Sequence, residues 1–85
     1  MNEKNINGQA TCANIIRIMQ EKGLKPTDIQ KGIGFASVQG IYKWKAVAEG
    51  KPNYKGMPST DTLFRLASVL GVSVYDIVAF NDADA

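Results

Sequence analysis

The sequence contains no histidine and a single cysteine, Cys12. These two shortages leave too few nitrogen and sulfur ligands for a zinc site, and they exclude catalytic dyads and triads that depend on histidine. The carboxylates are scattered, and no pair of them lies at helical spacing on an apolar face. We therefore predict that the protein is not an enzyme and that it carries neither a metal nor a cofactor.

Long apolar runs are also missing. No run approaches the ~18 apolar residues that a membrane span requires, and the polar N-terminus lacks the apolar segment of a signal peptide. A single cysteine cannot form an internal disulfide, and Cys12 lies in an apolar helical stripe, so a buried thiol is a better interpretation than a reactive one. These absences predict a cytoplasmic protein with no membrane partner and no small-molecule substrate.

The charge of the chain is small overall but unevenly distributed. Ten basic and eight acidic residues give a formal net charge of +2. Residues 43–55 contain four lysines and one glutamate, which is a local charge of +3, whereas the C-terminal end carries aspartates. Such polarity suits a face that contacts phosphates. A solvated lysine-rich loop has the same composition, and on charge alone it is the better interpretation.

Helix signals recur along the first half of the chain. Thr11 is a candidate N-cap for a first helix that ends at Gly23, and Pro26 suits the first position of a second helix that ends at Gly34. Ser37 is a candidate cap for a third helix. From residue 45 to residue 57 the periodic pattern is lost and loop-forming residues replace it, although residues 46–48 can extend the third helix by a turn.

The second half of the chain contains two more helix signals. A fourth helix is predicted from a cap at Ser59 to Gly71, and a capping box of Ser73 and Asp76 opens a short fifth helix that continues through Phe80. The chain is therefore predicted to be all-α. It divides into a flexible N-terminal arm over residues 1–10, a single helical domain over residues 11–80 and a C-terminal tail over residues 81–85.

Apolar residues at helical spacing predict one contiguous core. Its predicted members are Ile15, Ile16, Met19, Leu24, Ile29, Ile33, Ile41, Trp44, Leu63, Leu66, Leu70 and Ile77.

A set of short motifs carries a family resemblance. The third helix contains Gln39-Gly40-Ile41-Tyr42-Lys43-Trp44, and further motifs lie on both sides of it: Lys22-Gly23-Leu24, Asp28-Ile29-Gln30, Ile33-Gly34-Phe35, Pro58-Ser59-x-Asp61-x-Leu63, Leu70-Gly71-Val72-Ser73 and Asp76-Ile77. Together they resemble the Cro and phage-repressor type (XRE-like) of helix-turn-helix DNA-binding domain. The recognition helix is similar to that of a bacterial subgroup with the pattern Gln-x-Ile-Tyr-Lys-Trp. The resemblance covers roughly residues 11–78 and implies a compact five-helix repressor-like fold.

The resemblance also implies which residues contact DNA. It places the helix from Ser37 in the major groove, with Ile41 and Trp44 at core positions. The implied base-contacting residues are Val38, Gln39, Tyr42 and Lys43, and Tyr42 is suited to a base or a phosphate. The implied phosphate-contacting residues are Lys25, Ser37, Lys45, Lys51 and Lys55.

The chemistry of these side chains agrees with the resemblance, but a plainer interpretation exists for each. Glutamine pairs bidentately with adenine, lysine donates to guanine, and valine packs against a thymine methyl group. Without the motif, Gln39, Tyr42 and Lys43 would be an exposed polar helix face. For Lys45, Lys51 and Lys55, phosphate contact and plain solvation are equally compatible with the sequence.

The chain departs from the family pattern in three places. Lys25 stands where the second helix usually has a serine or threonine cap, which forfeits on the order of 1 kcal/mol of capping. Pro26 removes a backbone donor near a position that often contacts the DNA backbone. The stretch between Trp44 and Pro58 is longer than usual for the subgroup, which leaves open an additional contact.

These expectations together describe a sequence-specific DNA-binding transcriptional regulator of repressor type that binds duplex DNA as a homodimer. The alternatives are an antitoxin or mobile-element control protein with a protein partner, and a helical protein-interaction module that does not bind DNA. The expected pairing surface is the last helix and its flanks, at Val74, Tyr75, Val78 and Phe80. The alternative for Val74 and Phe80 is that they complete the core.

Overall fold

The computed structural model describes residues 6–34 and 39–81, and these residues form five α-helices. The helices are α1 (Gly8–Glu21), α2 (Pro26–Ile33), α3 (Gln39–Ala48), α4 (Thr60–Leu70) and α5 (Val74–Ile77). Within these ranges the only β-type pairing is an isolated antiparallel bridge between Ile6 and Phe80. The predicted all-α class is thus confirmed for the described residues. None of these helices is long and apolar enough to cross a membrane.

A single hydrophobic core joins the five helices. The longest helix, α1, packs chiefly against α3, while α2 packs chiefly against α4, and α5 contacts both α1 and α4. Ten of the twelve predicted core residues are buried, and Ile16 and Leu24 are partly buried against the same cluster. Ile18 and Val47 are further core members that the predicted stripes did not include. The apolar stripes of α1 and α3 are therefore wider than the strict helical spacing indicated.

The start of α1 differs from the prediction. The helix begins at Gly8, and its N-cap is Asn7, whose side-chain oxygen accepts a hydrogen bond from the backbone N–H of Ala10 at 2.9 Å. Asparagine caps helices as well as serine or threonine does. The predicted cap, Thr11, instead lies within the helix, where its hydroxyl accepts from the N–H of Ala79 at 3.0 Å. The part of the predicted arm that the structure describes, from Ile6 onwards, is consequently paired or helical.

The predicted extent of the last helix is also corrected. The capping box is present, because the carboxylate of Asp76 accepts from the N–H of Ser73 at 2.9 Å. The helix nevertheless ends at Ile77, and Val78 has an extended backbone. The reason is a competing partner: the N–H of Asn7 donates to the carbonyl of Ala79 at 2.7 Å, which draws the chain into pairing with the N-terminal segment.

The remaining helix boundaries agree with the prediction where the structure describes them. Pro26 is the first residue of α2, and Ser59 caps α4 by accepting from the N–H of Thr62 at 3.3 Å. The predicted helix-ending glycines, Gly23, Gly34 and Gly71, all have positive φ angles. The third helix does extend to Ala48. The predicted cap of that helix, Ser37, lies outside the described residues.

Candidate nucleic-acid interface

The third helix has one buried and one exposed face. Three apolar side chains of α3, those of Ile41, Trp44 and Val47, are buried in the core. The polar side chains Gln39, Tyr42, Lys43 and Lys45 are exposed. Residues three and four positions apart are neighbours on a helix, so Gln39, Tyr42 and Lys43 share one solvent-facing surface. Packing of the opposite face against α1 thus fixes which side chains α3 presents outwards.

A groove runs between the exposed face of α3 and the loop that follows it. Its volume is about 760 Å³, and its lining residues are Gln39, Gly40, Tyr42, Lys43, Lys45, Ala46, Glu49, Lys51 and Tyr54. We refer to it as the α3 groove. It brings together three of the predicted base-contacting residues and two of the predicted phosphate-contacting lysines. Three lysines and one glutamate among its lining residues give the groove a formal charge of +2.

Backbone hydrogen bonds attach the loop to the end of α3. The N–H of Gly50 donates to the carbonyl of Val47 at 3.0 Å, and the N–H of Lys51 donates to the carbonyl of Ala46 at 3.1 Å. Gly50 takes a left-handed conformation, with φ at 75°, which lets the chain reverse immediately after the helix. A third bond, from the N–H of Tyr54 to the carbonyl of Lys51 at 3.1 Å, closes a turn. These bonds hold the loop beside the exposed face of α3.

One carboxylate lies among the lysines of the α3 groove. An oxygen of Glu49 is 3.6 Å from the Nζ of Lys51. Both side chains are about half exposed, at 49% and 59% respectively, so solvent screens this ion pair and its contribution to stability is small. Lys51 is therefore available to an incoming anion at little cost.

The other predicted phosphate-contacting residues are not all in this groove. Lys55 lines a second groove of about 360 Å³ on the far side of the loop, which we refer to as the α1 groove because Gly8 and Gln9 also line it. Lys25 precedes α2, lines neither groove, and donates its backbone N–H to the carboxylate of Asp28 at 2.9 Å. This bond caps the start of α2, because the side chain of Lys25 makes no capping hydrogen bond there. The positions of Ser37 and Val38 lie outside the described residues.

Sequence reasoning did not assign two polar side chains to the α3 groove, those of Tyr54 and Glu49. Tyr54 lies in a stretch rich in proline, asparagine and glycine, where a large aromatic residue has no periodic pattern to assign it to a core. That isolation is itself a signal, because tyrosine is enriched at surfaces that contact a partner. Only the fold shows that it lines the same groove as Tyr42, which the motif had identified.

Cys12 takes no part in this surface. The residue is fully buried, and its thiol donates weakly to the carbonyl of Gly56, with Sγ and the oxygen 3.8 Å apart. Burial raises the pKa of the Cys12 thiol from 9.0 to about 11. The burial confirms the prediction of a buried cysteine, and the raised pKa leaves the thiol a poor nucleophile.

A separate apolar surface lies at the end of the molecule where Ile6 pairs with Phe80. Four large side chains are conspicuously exposed there: Ile6 at 44%, Phe64 at 61%, Tyr75 at 82% and Phe80 at 49%. Together with Thr60, Leu63, Val74 and Val78 they line a shallow depression with no charged side chain among its lining residues. We refer to it as the terminal patch. It contains the four residues predicted to mediate pairing, and it adds Phe64 and Ile6.

Comparison with known proteins assigns no relative to this chain. No protein-family model matches it, and no curated protein or solved structure shows significant similarity to it.

Proposed function

We propose that the protein is a sequence-specific DNA-binding transcriptional regulator of repressor type, in which α2 and α3 form a helix-turn-helix and α3 lies in the major groove of duplex DNA. The observation that carries this proposal is the exposed surface shared by Gln39, Tyr42 and Lys43 on a helix whose other face is buried. A helix with its side chains is about 10–12 Å wide, and the major groove is about 12 Å wide.

The exposed side chains of α3 have suitable chemistry for this role. Gln39 offers both a donor and an acceptor, the pair that adenine requires, and Lys43 offers donors for the acceptor atoms of guanine. Tyr42 is 55% exposed between them and offers a hydroxyl to a base edge or a phosphate. Ile41 and Trp44 do not compete for this role, because both are buried in the core.

The charge of the α3 groove supports contact with a polyanion. Lys45 and Lys51 lie beside the residues proposed to contact bases, and the groove is positive overall. Lysine side chains that neutralise phosphates release condensed counterions, so affinity for duplex DNA should fall steeply as salt concentration rises. An uncharged docking surface would not produce that dependence.

A single copy of α3 covers only a few base pairs, which gives little discrimination against the many competing sites of a genome. We therefore propose a homodimer whose two copies of α3 contact half-sites about one helical turn apart, roughly 34 Å. The terminal patch is the proposed pairing surface. It carries no charged side chain in its lining, so pairing there would bury apolar surface without burying a charge from that lining.

The experiment that tests the function is selection of bound sequences from random duplex DNA, followed by affinity measurements at several salt concentrations. We expect a selected site with two-fold symmetry and a linear fall of log affinity with log salt concentration. Absence of any selected sequence, together with no salt-dependent binding, would contradict the proposal.

The terminal patch gives one alternative a specific basis. Its exposed aromatic side chains would also suit a protein-interaction module or an antitoxin that docks a different protein there. An interaction module of that kind would bind no duplex DNA in the same experiment, whereas an antitoxin with a DNA-binding role would bind DNA and a second protein through separate surfaces.

A further inference from the structure

Lys51 and Tyr54 occupy an unusual position between two grooves. Both residues line the α3 groove on one side of the loop and the α1 groove on the other. They therefore form a ridge that separates the two concave surfaces. Tyr54 is 45% exposed, so its ring is partly packed while part of the side chain remains open to solvent. We refer to this pair as the loop ridge.

The loop ridge is attached to α3 at its start and is closed by a backbone bond within the turn. Backbone bonds from Gly50 and Lys51 to α3 fix its start, and the bond from Tyr54 to Lys51 closes the turn between its two members. The side-chain amide of Gln9 adds a weaker bond to the carbonyl of Ala48 at 3.4 Å, which links the start of α1 to the end of α3. A ligand that contacts the ridge would lose little loop entropy on binding, because the loop is already organised.

The two grooves share a positive character around the ridge. Lys45 and Lys43 lie in the α3 groove, Lys55 lies in the α1 groove, and Lys51 belongs to both. Among the described residues that line the α1 groove there is no carboxylate. A phosphate group has only acceptor oxygens at neutral pH, so lysine ammonium groups and a tyrosine hydroxyl are matched donors for it. The arrangement suits a phosphate strand that crosses the ridge from one groove to the other.

We propose that the loop ridge is a second DNA-contacting element. In this proposal Tyr54 donates its hydroxyl to a backbone phosphate, and Lys51 pairs with the same strand, just beyond the base pairs that α3 contacts. The site recognised by the protein is therefore longer than the α3 helix alone would give. This inference rests on the proposed function, because it requires that α3 bind duplex DNA in the first place.

The test combines a variant of the protein with shortened DNA. Tyr54→Phe removes only the hydroxyl and keeps the packed ring, so folding should be preserved. Binding is measured for wild type and Tyr54→Phe on the selected duplex and on duplexes shortened by one base pair at a time from the ends. Ser68→Ala, which removes an exposed hydroxyl from α4 outside both grooves, is the matched control.

We expect Tyr54→Phe to bind the full-length duplex roughly tenfold more weakly, which corresponds to one hydrogen bond to a charged group. The loss should be similar for all sequences, because a phosphate carries no base identity. On duplexes shortened past the ridge, wild type and Tyr54→Phe should bind equally. Lys51→Ala should show the same dependence on duplex length, and Ser68→Ala should bind as wild type does at every length.

Two results would overturn the inference while leaving the proposed function intact. One is a Tyr54→Phe variant that binds the full-length duplex as tightly as wild type does while Gln39→Ala weakens binding. The other is a loss that stays the same on full-length and shortened duplexes, which would show that Tyr54 acts on the fold rather than on flanking phosphate. Failure of wild type to bind any duplex would overturn both proposals together.

Discussion

Gly32 on α2 lies so close to Val69 on α4 that a methyl group added to its Cα would approach one Val69 methyl carbon to 2.7 Å and the other to 2.9 Å. A glycine inside a helix normally only weakens that helix, but Gly32 has a further function. Its role is to let α2 and α4 pack closely, and this packing is the chief contact that α2 makes with the rest of the molecule.

Gly32→Ala is therefore expected to destabilise the protein, although the same change in an exposed helix normally stabilises it by about 1 kcal/mol. Overpacking costs about 1–3 kcal/mol, so we expect a net loss of roughly 1 kcal/mol in the free energy of unfolding measured with urea. In a Val69→Ala background, where space is available, Gly32→Ala should instead stabilise. A Gly32→Ala protein more stable than wild type would show that the contact is not restrictive.

Trp44 is expected to be a main anchor of the core. It is 5% exposed on the buried face of α3, so Trp44→Ala should lower the free energy of unfolding by about 3–5 kcal/mol. Tyr42→Ala, on the exposed face of the same helix, is the control and should change stability by less than about 1 kcal/mol. Equal melting temperatures for wild type and Trp44→Ala would contradict the assignment.

The buried thiol predicts a specific dependence of stability on pH. The pKa of Cys12 is about 11 in the folded protein against an ordinary value of 9.0. Below pH 9 the thiol is protonated in both the folded and the unfolded chain, so it does not change the free energy of unfolding with pH. Above pH 9 the unfolded chain loses the proton first, so folding stability should fall between pH 9 and pH 11 by roughly 2–3 kcal/mol.

The control for the pH prediction is Cys12→Ala, which lacks the titrating group. Its free energy of unfolding should be lower than that of wild type at neutral pH because of the cavity, but it should fall less between pH 9 and pH 11. Parallel pH profiles for the two proteins would show that the thiol is not responsible.

Pairing through the terminal patch is tested by charge substitution. Tyr75 and Phe64 are 82% and 61% exposed, so replacing each with lysine should leave the fold intact while burying like charges against each other in a dimer. Sedimentation without DNA should show wild type associating and Phe64→Lys/Tyr75→Lys remaining monomeric. Tyr54→Lys, in the loop after α3, is the control. A double variant that still associates would place the interface elsewhere.

Local signals predicted much of the fold because they depend on near neighbours. Pro26 at the start of α2, Ser59 at the start of α4 and the capping box at Ser73 act within one helical turn, so the sequence alone was sufficient to locate them. The two errors in helix boundaries, at the start of α1 and the end of α5, both lie where distant segments meet. The hydroxyl of Thr11 bonds to Ala79, and no local pattern distinguishes that partner from a helix cap.

The candidate interface was predictable to a similar degree and for the same reason. Gln39, Tyr42 and Lys43 lie at helical spacing within one motif, so their common surface followed from the sequence. The position of Tyr54 did not, because it depends on the left-handed turn at Gly50 and on how the loop folds back beside α3. The spacing of residues along the sequence does not show that the loop folds back beside α3.

The most direct test of the central claim is the base preference of two variants on the selected duplex. Gln39→Ala and Lys43→Ala are measured against every base substitution in the half-site, with Gln20→Ala and Lys22→Ala on and just after α1 as matched controls. Each groove variant should lose about 1–3 kcal/mol of discrimination at one base position and keep it elsewhere, while the controls retain the wild-type preference. Unchanged base preference in both groove variants would contradict the placement of α3 in the major groove.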